Sequence, residues 1–321
     1  MRFINIRSET FAKPIIIDGI GRAGKFFLGK ILCGLENIEY FQYISVLEHI
    51  PYLNKLGFIN EDAAISLLQI NADEHAYNML VGRNINLRVD DGSSVTNSLE
   101  SEVYIKRGNN PVDNDSIRDK KQDNVRLSPF ITHETFPNIK IFFRAFSQIK
   151  IVFLRRNPID IVHSWLLRGW GNRFEKNDLL AFIPLVKNNE LQFPWYVSGW
   201  EEEYYSISEV ERIIKCIDTI MSMEETAFKA LSADQQENVL VIRYENLVEQ
   251  TNNEIYRMEQ FLNRKSSNRM PDIMLRENCP SEISLEKRME KMNDISTKAS
   301  KKYIELLLLR SEAYEATSNL L

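Results

Sequence analysis

Between Lys13 and Leu28 the chain reads Lys-Pro-Ile-Ile-Ile-Asp-Gly-Ile-Gly-Arg-Ala-Gly-Lys-Phe-Phe-Leu. A β-branched run, a glycine-rich turn and a helical pattern follow one another without a break. That succession predicts a buried strand feeding a tight turn and then a helix. Gly19, Gly24 and Lys25 stand at the spacing of G-x-x-x-x-G-K-[ST], in which backbone amides cradle a phosphate. The last position is Phe26, which has no hydroxyl to hold Mg²⁺. The segment therefore predicts a phosphate grip that is not built like an ATP-hydrolysing or kinase site.

Five short apolar runs read as buried parallel strands: Pro14–Asp18, Ile85–Val89, Pro129–Thr132, Lys150–Leu154 and Asn238–Arg243. Helical patterns lie between and after them, at Lys25–Leu35, Glu61–Leu80, Asp160–Leu167, Val210–Leu231, Asn253–Leu262 and Lys298–Glu315. This alternation predicts an α/β chain, a three-layer doubly wound fold around a central parallel sheet. With 321 residues the chain is long enough for one large domain, and residues 1–321 are read as one. A polar stretch at about 106–126, nearly devoid of large apolar groups, predicts an exposed, mobile loop, a solvated insertion or a lid beside the acceptor pocket. A helical C-terminal segment is expected at about 253–321.

The net charge of −5 argues against a general nucleic-acid binder but leaves room for a local basic pocket. Cys33, Cys216 and Cys279 are far apart and have no metal-ligand spacing, so reduced, packed thiols in a cytoplasmic protein are expected. The first ten residues lack the apolar core of a signal peptide, and no run approaches the ~20 apolar residues of a membrane span.

The first candidate site is the loop itself. Gly19, Gly21 and Gly24 let the backbone curl close to a phosphate, at a helix N-terminus where N–H groups attract anions. Arg22 and Lys25 add two positive charges, and one of Phe26 and Phe27 is placed to stack on a purine. A plain strand-to-helix turn with core aromatics would share the glycines but has no need of the two cations. The second site is Arg156-Asn-Pro-Ile-Asp-Ile-Val-His-Ser164. Arg155 and Arg156 end a predicted strand, at the sheet edge where open α/β folds bind ligands, and Ser164 lies on the next helix. Arg156 and Ser164 suit a second phosphate; an Arg-Arg pair equally suits capping or salt bridging.

Three segments in this order, Gly21-Arg-Ala-Gly-Lys-Phe-Phe27, Arg156–Ser164 and Val239-Leu-Val-Ile-Arg-Tyr-Glu-Asn-Leu247, resemble the sulfotransferases that use 3′-phosphoadenosine-5′-phosphosulfate (PAPS). The resemblance spans roughly residues 13–250. It implies a P-loop NTPase-like fold and sulfuryl transfer from PAPS, without a metal, to a hydroxyl of a sugar, lipid or small metabolite. It implies Arg22 at the transferred sulfuryl group and Gly21, Ala23, Gly24, Lys25 and Phe26 around the 5′-phosphate. It implies Phe27 against adenine, Arg156 and Ser164 on the 3′-phosphate, and Tyr244 near the base. Ala23 and Phe26 lack hydroxyls usual in that family, which leaves Lys25 to compensate. The family's later basic-glycine loop has no clear counterpart, Arg288 being the nearest candidate.

Transfer to a hydroxyl also needs a base. His133, in Phe130-Ile-Thr-His-Glu134, is the first choice, with Glu48 and His49 as alternatives, and only one of them need act. The acceptor pocket is expected between Tyr40–Ile50, the polar loop and Gly169–Trp200, with Arg88, Asp90 and Ser93 either facing it or forming a capped turn. Two other readings stay open: a P-loop nucleotide-dependent kinase, with Asp90 as its metal ligand, and a non-catalytic nucleotide-binding relative. The sequence specifies neither the acceptor nor an oligomeric state.

Overall fold

The computed structural model describes residues 4–110, 126–176, 182–188 and 191–317. Five strands form a parallel sheet in the order β2-β3-β1-β4-β7, with β1 at Pro14–Asp18, β2 at Gln42–Tyr43, β3 at Ser128–Ile131, β4 at Lys150–Arg155 and β7 at Val239–Arg243. A separate antiparallel hairpin joins β5, Leu185–Asn188, to β6, Leu191–Pro194.

Alternation along the strands divides the interior. Ile15, Ile17, Val152, Leu154, Leu240 and Ile242 face one layer, where helices Lys25–Leu32 and Thr251–Leu262 pack. Ile16, Phe130, Ile151, Phe153 and Val241 face the opposite layer, with helices Val46–Lys55, Glu61–Val81 and Lys140–Ala145. Both faces of the sheet are covered, which is why the strands read as unbroken apolar runs. A third cluster joins helix Pro158–Leu166 to Glu209–Lys229 and Lys301–Ala316 through Val162, Trp165, Ile213, Ile217 and Leu307. The result is the three-layer α/β arrangement around a central parallel sheet that the alternation predicts.

Two expectations are corrected. Ile85–Val89 is not a strand: it is irregular, and only Ile85 packs against the core while Leu87 and Val89 are exposed. The fifth strand is Gln42–Tyr43, a two-residue edge paired with Phe130 and Ile131. The polar stretch does not begin as a loop, because Lys106 to Asn109 close the Ser101–Asn109 helix, where Arg107 binds the Glu39 carboxylate at 3.0 Å. Its remainder, residues 111–125, lies outside the described residues. Helices Met270–Arg276 and Leu285–Ser296 fill the C-terminal segment between the two expected there. Among the described residues no helix is long and apolar enough to cross a membrane.

Candidate active site

The carboxyl ends of β1, β3, β4 and β7 bring the predicted residues to one edge. The turn after β1 is shaped by what crowds it. Gly19 has φ +147°, and a Cβ there would collide with the Leu154 carbonyl oxygen of β4. Gly24, at φ +106°, caps the Lys25–Leu32 helix against the Tyr244 ring. Between them Arg22 takes φ +75°, a left-handed conformation uncommon for a residue with a Cβ.

The peptides of Gly21 and Arg22 are gripped from three elements. The Gly21 N–H donates to Glu134 Oε1 at 2.5 Å, Trp165 Nε1 donates to the Gly21 carbonyl at 2.9 Å, and Arg156 Nη1 donates to the Arg22 carbonyl at 3.0 Å. Ala23, buried, closes the turn by donating to the Ile20 carbonyl at 3.0 Å. The first turn of the following helix leaves its N–H groups without intrahelical acceptors.

Lys25 lies beneath the loop. It is 2% exposed, and its ammonium donates to the Gly19 carbonyl and, at 3.0 Å, to that of Ile20. Burial lowers its pKa, while the charges of Glu134, Asp18, Glu48 and Glu224 oppose that shift. Its positive charge thus acts on the cradle from below. Asp18 is fixed by Thr132 Oγ1 at 2.8 Å and the Phe136 N–H at 2.7 Å, which ties the end of β1 to the turn after β3. Phe26 packs edge-on to Phe41, with centroids 5.6 Å apart, and fills the space beside Gly92. Phe27 lies edge-on to Tyr244 at 6.2 Å.

Arg156 leaves β4 with its guanidinium 4.1 Å above the Tyr244 ring, and its buried Nε has no partner among the described residues. Ser164 accepts from Arg22 Nε at 3.1 Å, so the two predicted phosphate positions adjoin through one side chain. Burial, then Arg168, then Arg156 lower the Arg22 pKa. Arg155 turns the other way, bonding Glu225 at 3.3 Å, and serves packing. Arg288 is committed to Asp160 at 3.0 Å, Glu315 at 3.1 Å and Glu245 at 3.2 Å, so three carboxylates hold it away from a phosphate.

The proposed alternatives for the base meet each other. Glu48, in the first turn of helix Val46–Lys55, places Oε1 2.7 Å from His133 Nδ1. Tyr43 donates to Glu48 Oε2 at 3.3 Å and lies edge-on to the imidazole at 5.2 Å, and Tyr52 donates to the His133 carbonyl at 2.6 Å. Burial raises the Glu48 carboxyl, and burial followed by the Lys25 charge lowers His133. Both shifts favour neutral partners sharing one hydrogen bond, a pair that titrates as a unit. His49 faces elsewhere, its Nε2 2.8 Å from the Phe182 carbonyl. Arg88 and Asp90 are exposed, and Ser93 bonds the Asp91 carboxylate at 3.0 Å within a capped turn.

Glu134, Tyr43, Trp165 and Arg168 are the neighbours that sequence reasoning passed over. Glu134 adjoins His133 in the chain and Arg168 follows Ser164 by one helical turn, signals that acquire meaning only with the fold.

Residues 12–305 match the family model described as a sulfotransferase domain, a span containing the cradle, the Arg156–Ser164 segment and the Glu48–His133 pair. The chain belongs to the sulfotransferase family. Among solved structures, this sulfotransferase is similar to the sulfotransferase domain of the Synechococcus PCC 7002 olefin synthase, with 12% identity, 99% of each chain covered and a TM-score of 0.47. It is also similar to a sulfotransferase from Alicyclobacillus acidocaldarius, with 14% identity, 96% of this chain and 97% of that one covered and a TM-score of 0.44. A third is the sulfotransferase domain from the curacin biosynthetic pathway, with 14% identity, coverage of 82% and 77%, and a TM-score of 0.44. No curated protein matches.

Proposed function

We propose that this sulfotransferase uses PAPS as donor and transfers its sulfuryl group to a hydroxyl of a sugar, lipid or small-metabolite acceptor. The observation that carries this reading is the adjacency of the Arg22–Ser164–Arg156 cluster to the glycine cradle, with the Glu48–His133 pair at the same sheet edge. The residues fit such a donor. Gly24 opens the helix N-terminus for the 5′-phosphate, with Gly21, Ala23, Lys25 and Phe26 forming the wall around it. Arg156 and Ser164 suit the 3′-phosphate, and Phe27 and Tyr244 offer aromatic surface to adenine. Arg22, with the buried Lys25 charge beneath, would stabilise the negative charge that grows on the leaving bisphosphate. The acceptor hydroxyl loses its proton to His133, oriented by Glu48, as its oxygen bonds to sulfur and the sulfur–oxygen bond to the bisphosphate breaks. No step calls for the metal-holding hydroxyl that Phe26 lacks. The whole chain is read as one sulfotransferase domain, which the match across residues 12–305 supports. Its three free cysteines accord with a cytoplasmic setting.

Calorimetric titration with adenosine 3′,5′-bisphosphate tests the donor. Binding is expected, and Arg156→Ala should weaken it by about 10- to 100-fold, the loss of one or two charge-assisted bonds. An unbound bisphosphate, or an Arg156→Ala protein that binds as tightly as wild type, overturns the reading.

A further inference from the structure

A carboxyl group sits on the backbone of the very loop that is read as the donor's anion site. The Glu134 N–H donates to the Gly19 carbonyl at 3.3 Å, and Glu134 Oε1 accepts from the Gly21 N–H at 2.5 Å. One residue thus spans the turn after β1 with both its backbone and its side chain. It is held there. Its own backbone is left-handed, at φ +51°, and a Cβ built on Gly21 would meet Glu134 Oε1 and the Trp170 ring, each at 3.2 Å. Oε2, the other carboxyl oxygen, accepts no hydrogen bond among the described residues, and no cation pairs with the group. The two cations of the loop are turned elsewhere: Lys25 gives its ammonium to the Gly19 and Ile20 carbonyls, and Arg22 Nε donates to Ser164.

An anion entering this loop therefore meets a group of its own sign. The titratable groups coupled to Glu134 come from every side: His133 beside it, Lys25 on the helix after the loop, Tyr43 on β2, Glu48 and Tyr52 on helix Val46–Lys55, Tyr196 next to Trp195, and Glu224 on helix Glu209–Lys229. Burial raises the Glu134 carboxyl and Glu48 adds to that, against His133, Lys25 and the Gly21 N–H. Like charges brought together in a buried site do not both stay ionised. The carboxyl can withdraw or take up a proton. Withdrawal is opposed by the bonds to Gly19 and Gly21 and by the Trp170 ring. Protonation breaks neither bond, because Oε1 of a neutral carboxyl still accepts from the Gly21 N–H. A phosphate in the loop is met by amides and by the Arg22 and Lys25 charges, so the carboxyl is the group that gives up its charge.

We infer that donor binding is coupled to protonation of Glu134: as the anion enters, a proton from solvent bonds to Oε2 while Oε1 keeps the Gly21 N–H. The inference rests on the reading of this loop as the donor's phosphate site. The carboxyl holds its proton more tightly with the anion bound than without it. That part of the affinity is therefore present at low pH and lost as pH rises through the value the carboxyl has in the complex. Adenosine 3′,5′-bisphosphate is titrated calorimetrically at about pH 7 to 9, where its phosphates are already dianionic, in HEPES and in Tris, whose different heats of ionisation report the protons taken up. Wild-type protein should take up about half a proton or more within this range. Glu134→Gln keeps an oxygen for the Gly21 N–H and carries no charge. It should lose the uptake and bind about three- to tenfold tighter than wild type at the alkaline end. Glu48→Gln should keep the uptake. Uptake that survives Glu134→Gln, uptake that is lost in Glu48→Gln, wild-type binding with no uptake, or a Glu134→Gln protein that binds no tighter than wild type overturns the role given to Glu134. Wild-type protein that does not bind the bisphosphate overturns the donor reading and this inference with it.

Discussion

Replacing Gly24 by alanine probes the cradle where it is tightest. Gly24 sits at φ +106°, and an added Cβ would lie 2.6 Å from both Cδ2 and Cε2 of Tyr244. Holding an L-residue at such a φ costs about 1–2 kcal/mol. The ring must also move, and it supports Arg156, whose guanidinium stands 4.1 Å above it and donates to the Arg22 carbonyl. Losing the cation–π contact costs about 0.5–1 kcal/mol, and loosening the charge-assisted bond about 1.5–3 kcal/mol. Gly24→Ala should therefore destabilise the protein by about 3–6 kcal/mol in urea unfolding and weaken adenosine 3′,5′-bisphosphate at least tenfold by calorimetry. Tyr244→Ala removes the colliding ring. In the double variant only the backbone strain is new, so its stability loss should fall short of the summed single losses by about 1 kcal/mol or more. A Gly24→Ala protein that melts and binds like wild type, or a strictly additive double variant, would refute the packing argument.

Two further outcomes follow from the same geometry. Burial pushes the Glu48 carboxyl up to about 8, so the Glu48–His133 pair sheds its shared proton as pH rises through that value. Glu48 then faces Nδ1–H as a carboxylate and Nε2 is free to accept, so kcat/KM for PAPS-dependent transfer should climb toward pH 8 and level off. Glu48→Gln should flatten that limb and slow transfer by about 10²-fold, and an unchanged pH profile would remove Glu48 from the reaction. Phe26→Ser restores the hydroxyl of the G-x-x-x-x-G-K-[ST] pattern yet empties the space beside Phe41 and Gly92. It should lose about 2–4 kcal/mol in urea unfolding without gaining Mg²⁺-dependent ATP hydrolysis, and a fully stable, ATP-hydrolysing variant would contradict both halves of the expectation.

What the sequence made legible was what lies close together in it. The strands β1, β3, β4 and β7 are apolar on both faces and announce themselves as continuous runs. Gln42–Tyr43 has two residues and no run at all, whereas Ile85–Val89 alternates like a half-buried strand while exposing Leu87 and Val89. The cradle and the Arg156–Ser164 segment are each contiguous, so residue types and spacing were enough to single them out. The pairing of Glu48 with His133 joins residues far apart in sequence, and spacing alone set them as alternatives. Arg288 and Lys25 were picked out as cations, but only packing reveals that one is held by three carboxylates and the other lies under the loop. Glu134 and Arg168 carry no motif; their significance comes from the backbone of Gly21 and the side chain of Arg22.

The three-sided grip on the Gly21 and Arg22 peptides has a consequence for how binding free energy is partitioned. Glu134, Trp165 and Arg156 arrive from the turn after β3, a helix and the end of β4, and together they hold Arg22 at φ +75° through contacts made by the protein itself. The unfavourable backbone conformation is thus met once, when the sheet assembles, and does not recur with each encounter. On the proposed donor reading, a nucleotide entering this loop would meet a receptor already ordered by folding, so its contacts would translate into affinity with little discount.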